Sequence, residues 1–168
     1  DFATLSLAQP GPATFDHQGY HFVLSGGTAR YTQLYSDTDP LAPGVRALDT
    51  APATLTWTVS RTDGASFNLH SLIAGNFDDN TALNLVAKKS GATVQTQTLA
   101  PGATQRVLFT GAPLVDQIVI TGQTDPAFAA MAFIDEISVV PPPTAPTIAA
   151  SGGSASYSEN AAPLPVDA

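Results

Sequence analysis

The chain contains no cysteine, and this absence excludes several kinds of protein at once. Without thiols there is no disulfide framework, no cysteine-ligated zinc site and no thiol nucleophile. No apolar run approaches the roughly 20 residues that a membrane-spanning helix requires, and the chain does not open with the basic and then apolar segments of a signal peptide. We therefore expect no insertion into a membrane, and we interpret the N-terminus as an internal cut from a longer polypeptide.

Basic residues are scarce as well. Six Lys and Arg face fourteen Asp and Glu, which gives a formal net charge of −8 and a pI near 4.4. A surface of this sign repels a phosphate backbone, so nucleic acid is excluded as a partner. Only 12% of the residues are charged, against about 25% in a typical domain. Such an acidic, cysteine-free, Thr- and Ala-rich composition is common among large exported bacterial proteins, and we expect a secreted or bacterial cell-surface location.

No stretch keeps helical spacing for long, whereas period-2 alternation recurs, so the predicted class is all-β. The clearest strand covers residues 54–60, where Trp57 shares one face with two aliphatic residues and threonines occupy the other. We expect Trp57 in the core. A Gly-containing turn at 61–64 leads into residues 67–73, and the two strands are predicted to form a hairpin.

A second hairpin is predicted from residues 83–88 and 94–99, with a turn at 89–92. Other strand candidates, most of them bounded by Gly, Pro, Asp or Asn, are residues 2–7, 20–24, 29–34, 106–110, 117–121 and 131–140. About ten short strands with helix confined to single turns indicate a two-sheet antiparallel sandwich of jelly-roll type.

Three consecutive prolines at 141–143 end the strand pattern, because proline cannot donate to a sheet ladder and favours an extended spacer. We predict one β-sandwich binding module over residues 1–140. Residues 141–168 are too few to bury a core, and we interpret them as a Pro-rich linker with the opening strands of a following module.

The segment SGGSASYSENA at 151–161 resembles the first strands of cadherin-like tandem repeats in giant bacterial adhesins and RTX-type exported proteins. The resemblance implies a large adhesin as the parent protein and adjoining domains of the same polypeptide as partners. The Glu of the Glu-Asn motif helps to hold an inter-repeat calcium in those families, which implies calcium at Glu159. The alternative is that Glu159 is a solvated strand residue.

Residues 1–140 resemble, more loosely, the galactose-binding-like jelly rolls. The resemblance rests on the strand order and on three segments, NLHSL at 68–72, GATV at 91–94 and FIDEISV at 133–139. It implies a non-catalytic module that binds carbohydrate or a cell surface, with one structural calcium near the chain ends. The closing segment is similar to the Asp-Asp-Ile pattern of that family, with Glu136 in place of the second acid.

Two acids are predicted as metal ligands from the residues themselves. Alternation places Asp135 on one face of the last strand with four apolar residues, Met131, Phe133, Ile137 and Val139. An unpaired buried charge is costly and bases are few, so we predict calcium at Asp135, with backbone N–H bonds to its carboxylate as the alternative. The oxygen-rich stretch 76–81 offers Asp78 as a ligand, although Asp and Asn also bond their own backbone in plain turns.

A carbohydrate site requires an aromatic platform and a few planar polar groups. Tyr31, Gln33 and Tyr35 alternate onto one face, and a polar loop with Asp37 and Asp39 follows. We predict that Tyr31, Tyr35, Asp37 and Asp39 line a ligand site. The alternative is that the tyrosines pack at a sheet edge or under a loop.

Motifs of catalysis are missing from the sequence. There is no Gly-x-Ser-x-Gly elbow, no His-Glu-x-x-His and no phosphate-cradling glycine loop, and His17, His21 and His70 are too irregularly spaced to suggest a metal cluster. The predicted function is non-catalytic binding of a glycan or a host or cell-surface ligand. A purely structural spacer in a tandem-repeat stalk is the alternative, but residues 1–140 show no repeat of the tail, which favours the binding module.

Overall fold

The computed structural model describes residues 11–35, 44–49, 51–126 and 130–140, and within them the regular structure consists of twelve strands and no helix. The strands are β1 (Thr14–His17), β2 (Tyr20–Gly26), β3 (Tyr31–Tyr35), β4 (Gly44–Leu48), β5 (Thr54–Arg61), β6 (Phe67–Asn76), β7 (Leu83–Lys89), β8 (Ala92–Leu99), β9 (Thr104–Leu108), β10 (Leu114–Val115), β11 (Gln117–Gln123) and β12 (Ala130–Val140). These residues accordingly contain no helix long and apolar enough to span a membrane.

The strands pair antiparallel into two sheets. The first sheet has the order β1-β2-β5-β11-β7-β8, and the second has the order β10-β6-β12-β4-β3, with β9 paired to β6. Apolar side chains from both sheets form one core cluster, as expected when each sheet buries one face against the other. The predicted all-β antiparallel sandwich is confirmed.

The predicted hairpin of β7 and β8 is confirmed. Its two-residue loop has positive φ at Ser90 and Gly91, 50° and 79°. The same conformation recurs at Gln18 and Gly19, which join β1 to β2 with φ of 49° and 81°. Two positive φ values give the backbone twist that matches the twist of the flanking strands, so these loops set the register of both hairpins.

The predicted hairpin of β5 and β6 is wrong. β5 pairs with β2 and β11 in the first sheet, whereas β6 pairs with β9, β10 and β12 in the second. The turn itself forms, since Gly64 N–H donates to the Arg61 carbonyl at 3.1 Å, but it carries the chain from one sheet to the other. The apolar residues of both strands, including Trp57 and Leu69, join the same core, so the strands face each other across it.

Trp57 lies at the centre of an aromatic group in the core and is 0% exposed, which confirms its predicted burial. Phe15 and Phe22 stack with ring centroids 4.9 Å apart, and both meet the indole nearly edge-on at 6.0 and 6.3 Å. Perpendicular contacts of this kind suit the charge distribution of aromatic rings. Among the described residues the indole Nε1 has no hydrogen-bond partner.

Regular alternation does not hold along β12, and the prediction that Asp135 shares a face with Ile137 is wrong. The register against β6 shifts between Ile134 and Ile137. Ile134 belongs to the core and Ile137 packs against it, while the intervening alternation turns Phe133 and Asp135 to the opposite face. A β-bulge adds one residue to a strand and thereby reverses the faces that follow.

The other predicted strands are present with shifted ends, except for residues 2–7, which lie outside the described residues. Three strands were not predicted, β1, β4 and β10. Two of them are edge or near-edge strands of four and five residues, and β10 has only two, so their alternation is too short to detect. The boundary near residue 140 and the Pro-rich extension at 141–168 stay predictions.

Candidate binding site

A surface depression of about 300 Å³ lies at the β1 edge of the first sheet, lined by Asp16, His21, Ser60, Arg61 and Thr62. Three of these residues form one cross-strand row, because Asp16 is opposite His21 and His21 is opposite Ser60. Directly opposite residues in an antiparallel pair project from the same face of the sheet. The register of three strands therefore brings a carboxylate, an imidazole and a hydroxyl together.

His21 and Asp16 form a close pair, with His21 Nδ1 2.5 Å from Asp16 Oδ1. Their side chains are 41% and 65% exposed, so the pair faces solvent rather than the core. An imidazole that donates from Nδ1 retains Nε2 as a second polar atom. Asp16 thus orients the ring and leaves Nε2 available to a ligand.

Arg61 is held in a similar way by its own turn. Its Nε donates to Asp63 Oδ1 at 2.9 Å and its Nη2 to Asp63 Oδ2 at 2.6 Å, and Ala65 N–H donates to the same carboxylate at 2.9 Å. The hydrogen bond between the two side chains raises the pKa of Arg61, and the same bond, helped by the Ala65 N–H, lowers the pKa of Asp63. The turn is tied to the β1–β2 loop, because Thr62 N–H donates to the Gly19 carbonyl at 2.9 Å.

The charges around the depression partly cancel. Asp16 and Asp63 each carry one negative charge, and Arg61 carries one positive charge that offsets one of them. Carboxylate and guanidinium groups are planar and bind two neighbouring polar atoms at once. The depression therefore suits a small, uncharged ligand with several hydroxyls better than it suits an anion.

The two tyrosines predicted as ligand residues belong to β3 of the second sheet and do not line this depression. Tyr31 is the first residue of β3, opposite Leu48, and is half-buried. Tyr35 is the last residue of the same strand. Asp37 and Asp39 lie outside the described residues, and the ligand role of all four stays a prediction.

The surface beside Tyr31 is packed rather than open. One cross-strand row runs from Gln33 through Arg46 and Phe133 to Gly75. Arg46 donates through Nε to Gln33 Oε1 at 2.8 Å. Phe133 is only 3% exposed, and its ring lies so close over Gly75 that a Cβ built there would be 2.0 Å from Cε1. A ligand near Tyr31 would therefore contact the edge of this packed face.

Asp135 is buried, at 9% exposure, on the face of the second sheet that also carries Phe133. A positive group lies near it. Arg106 forms a bidentate pair with Glu136, both N–O distances being 2.9 Å. This hydrogen bonding is the main reason for the raised pKa of Arg106, and the charge of Asp135 adds to it.

Asp78 is also buried, and its observed contacts are those of a turn. Asn80 N–H donates to Asp78 Oδ1 at 2.9 Å, and the Thr81 hydroxyl donates to Oδ2. These bonds, that of Thr81 first, lower the pKa of the carboxyl. Glu159 lies outside the described residues, and within those described no three acidic or histidine side chains come together as a metal site.

Sequence reasoning did not find Asp16, His21, Ser60 or Arg61 as site residues. The local signal for them was Gly19, since glycine readily takes the positive φ that a two-residue hairpin loop requires. Had that hairpin been predicted, Asp16 and His21 would have been paired across it. The position of Ser60 beside His21 depends on the pairing of β2 with β5, which no local pattern reveals.

No protein-family model and no curated protein matches the chain. Among solved structures, the lectin domain of lectinolysin complexed with Lewis B antigen is similar with a TM-score of 0.37 and 14% identity, over 53% of this chain and 65% of that chain. The chain thus spans less than two thirds of that domain.

A family 11 carbohydrate-binding module from Clostridium thermocellum, in complex with a β-1,3-1,4-mixed-linked tetrasaccharide, gives a TM-score of 0.36 and 12% identity, over 76% of this chain and 94% of that chain. The enzymatically active domain of tailspike protein 4 from bacteriophage CBA120 gives 0.37 and 9%, over 73% of this chain and 20% of that chain. TM-scores this low support no inference about function, so only the geometry of the chain itself bears on what it does.

Proposed function

We propose that the chain is a non-catalytic extracellular module that binds carbohydrate in the depression of Asp16, His21, Ser60, Arg61 and Thr62. The observation that carries this proposal is that two side chains at its rim, His21 and Arg61, are held in place by hydrogen bonds. The imidazole is oriented by one carboxylate, and the guanidinium is oriented by another. Groups held in place before the ligand arrives lose little conformational entropy on binding, which favours affinity.

The chemistry of the lining fits sugar hydroxyls. A hydroxyl both donates and accepts, so a carboxylate and an imidazole nitrogen can each satisfy it, and a guanidinium can bridge two neighbouring oxygens. The volume of about 300 Å³ is at the lower end of small-molecule sites, which run from about 300 to 1,000 Å³. One sugar residue at a chain end fits this size better than a long stretch of polysaccharide.

The row of Asp16, His21 and Ser60 contains the residue types of a serine hydrolase, but its contacts favour binding. In such an enzyme the histidine is hydrogen-bonded to the serine and takes its proton. In the described residues His21 is bonded to Asp16, and no hydrogen bond joins it to Ser60. The serine therefore lacks the activation that attack on a substrate requires.

The first experiment is a glycan array with the intact chain, followed by calorimetric titration of each glycan that binds. Asp16→Asn and His21→Gln should each weaken binding about tenfold or more, since each removes a hydrogen bond involving a charged or oriented group. Asp79→Asn and His70→Gln are the matched controls, because both residues are exposed and lie outside the depression. The controls should leave the dissociation constant unchanged.

The proposal fails if no glycan binds, or if the Asp16 and His21 variants bind as tightly as their controls. The first result would favour the structural spacer. Mass spectrometry of the recovered glycan should show an unaltered molecule. A hydrolysed product that depends on Ser60 would overturn the non-catalytic part of the proposal.

The surroundings of the module are part of the same proposal. Composition and the resemblance of residues 151–161 support a place in a large bacterial adhesin at the cell surface, with adjoining domains as neighbours. The predicted ligand residues Tyr31, Tyr35, Asp37 and Asp39 would then form a second contact region. Tyr31→Ala tests it, because a weaker attachment to the bound surface is expected while the His21 site keeps its affinity.

Calcium stabilisation is a separate proposal. Its support is the burial of Asp135 in a chain with far more acids than bases, although the nearby Arg106 offers the carboxylate another source of compensation. Calcium that binds only the folded state adds RT ln(1 + [Ca]/Kd) to the free energy of unfolding. This is roughly 2.7 kcal/mol when the calcium concentration is 100 times Kd. Tm should rise with calcium and fall with EDTA, and Asp135→Asn should reduce the response. A Tm indifferent to EDTA would contradict calcium binding.

A further inference from the structure

A second, smaller depression adjoins the first and shares Arg61 with it. Its volume is about 120 Å³, and its lining consists of Arg61, Ser66, Phe67, Asn68, Leu114, Val139 and Val140. The strand pairing explains the gathering of apolar side chains here, because Asn68 of β6 is opposite Leu114 of β10 and opposite Val140 of β12. Three strands of the second sheet therefore converge on the guanidinium that borders the polar depression.

Apolar exposure in the described part of the chain is concentrated at this place. The described residues include five exposed large hydrophobic side chains. Three of them line this depression, Leu114 at 52%, Val139 at 39% and Val140 at 41%. The other two, Val94 and Leu108, do not line it. An exposed apolar cluster bordered by polar groups is characteristic of a binding surface.

We propose that the ligand is a sugar residue that bears a methyl group beside its hydroxyls. This inference rests on the proposed function, since the hydroxyls would occupy the polar depression. The methyl group would lie beyond Arg61 against Leu114, Val139 and Val140. A site of about 120 Å³ accommodates a small substituent rather than a second sugar ring, and its apolar wall leaves a hydroxyl there without a full set of partners.

The methyl group has two chemical sources, the C6 carbon of a 6-deoxyhexose or the acetyl group of an N-acetylhexosamine. Two matched pairs of probes distinguish them. D-Fucose and D-galactose differ only in the C6 hydroxyl, and N-acetylglucosamine and glucose differ only at C2, so one member of each pair bears a methyl group and the other bears none. The dissociation constant of each is measured by calorimetry with the intact chain.

The methyl-bearing member of at least one pair should bind about fourfold more tightly, from about 0.8 kcal/mol for each buried methylene-sized group. Val140→Thr keeps the side-chain shape but replaces one methyl group with a hydroxyl, and it should abolish that preference. Val94→Thr is the matched control, because Val94 is similarly exposed at 46% and lies on β8 of the other sheet. It should leave the preference intact.

The outcomes separate this inference from the proposed function. Sugars that bind with the same affinity within both pairs overturn the methyl preference while the His21 site stands. A preference that persists in Val140→Thr also overturns it, because the methyl group must then lie elsewhere. Failure of all four probes and of the glycan array overturns the proposed function itself.

Discussion

The two sheets of the sandwich differ in the regularity of their strand register and in the burial of their outer faces. In the first sheet, β5 lies between β2 and β11 in continuous register, its aliphatic and indole side chains point to the core, and its threonines stay at least partly exposed on the outer face. In the second sheet, β12 has register shifts against both of its neighbours. Its residues 130–135 are all buried, those facing away from the core included.

The difference shows when a sequence pattern identifies the face of a side chain. Period-2 alternation identifies the solvent-exposed face of a strand under two conditions. One face must be exposed while the other is buried, and the register must be uninterrupted. β5 meets both conditions. β12 meets neither, because its outer face carries the buried Phe133 and Asp135, and its bulges reverse the alternation.

Truncation at the centre of the first sheet should have the largest effect. Trp57→Ala removes a fully buried indole together with its contacts to Phe15 and Phe22, and should lower the free energy of unfolding by about 3–5 kcal/mol. Thr58→Ala, one residue along on the outer face, should change it by less than about 0.5 kcal/mol. Urea denaturation followed by circular dichroism measures both.

Similar losses for Trp57→Ala and Thr58→Ala would contradict the assignment of the two faces of β5. Trp57→Phe is a useful intermediate. Since the indole Nε1 has no hydrogen-bond partner among the described residues, this variant should lose only packing, and the loss should be well below that of Trp57→Ala.

The packing on the outer face of the second sheet is tested by adding a methyl group beneath the ring of Phe133. Gly75→Ala places a methyl group where the ring lies, and over-packing of this kind costs about 1–3 kcal/mol. Phe133→Leu should relieve part of that cost in the double variant, which a double-mutant cycle of unfolding free energies measures as favourable coupling. Additive losses would mean that the outer face of this sheet is not packed around Phe133.

The sequence alone predicted the all-β class, the β7–β8 hairpin and the burial of Trp57, because each depends on neighbouring residues. The partner of a strand depends on the whole chain. The turn at 61–64 was recognised, but a turn sequence does not state whether the next strand stays in the sheet. The bulges of β12 arise from its pairing with β4 and β6, and were missed for the same reason.

The binding site shows the same division. Tyr31 and Tyr35 were predicted from alternation within one strand, whereas Asp16, His21 and Ser60 meet only through the pairing of three strands. Arg61 was seen as part of a turn, and its neighbour Asp63 explains why the guanidinium is held. Composition indicated the kind of surface, but the convergence of these groups required the register.

Acid should destabilise the loop that joins the two sheets after β6. Hydrogen bonds from Thr81 and Asn80 hold the pKa of Asp78 below its usual value. The stabilisation is therefore complete above the unfolded-state pKa of about 3.9 and is lost as pH falls below it. Asp78→Asn should lower stability at pH 7 and flatten the decline of Tm between about pH 5 and pH 2. An unchanged acid profile would show that Asp78 does not contribute to it.

The smallest effect is expected where the second sheet meets solvent, at the Arg106–Glu136 pair. This pair joins β9 to β12 across β6, and Arg106 also donates to Ser71 Oγ at 3.2 Å. Both side chains are about 40% exposed, at 39% and 41%, and exposed ion pairs contribute only about 0.2–1 kcal/mol. Glu136→Gln should therefore cost less than Gly75→Ala, and high salt should shrink the difference from wild type. A loss above about 2 kcal/mol that salt does not reduce would mean that the pair is part of the buried layer around Phe133 and Asp135, and that this layer extends to the edge of the sheet.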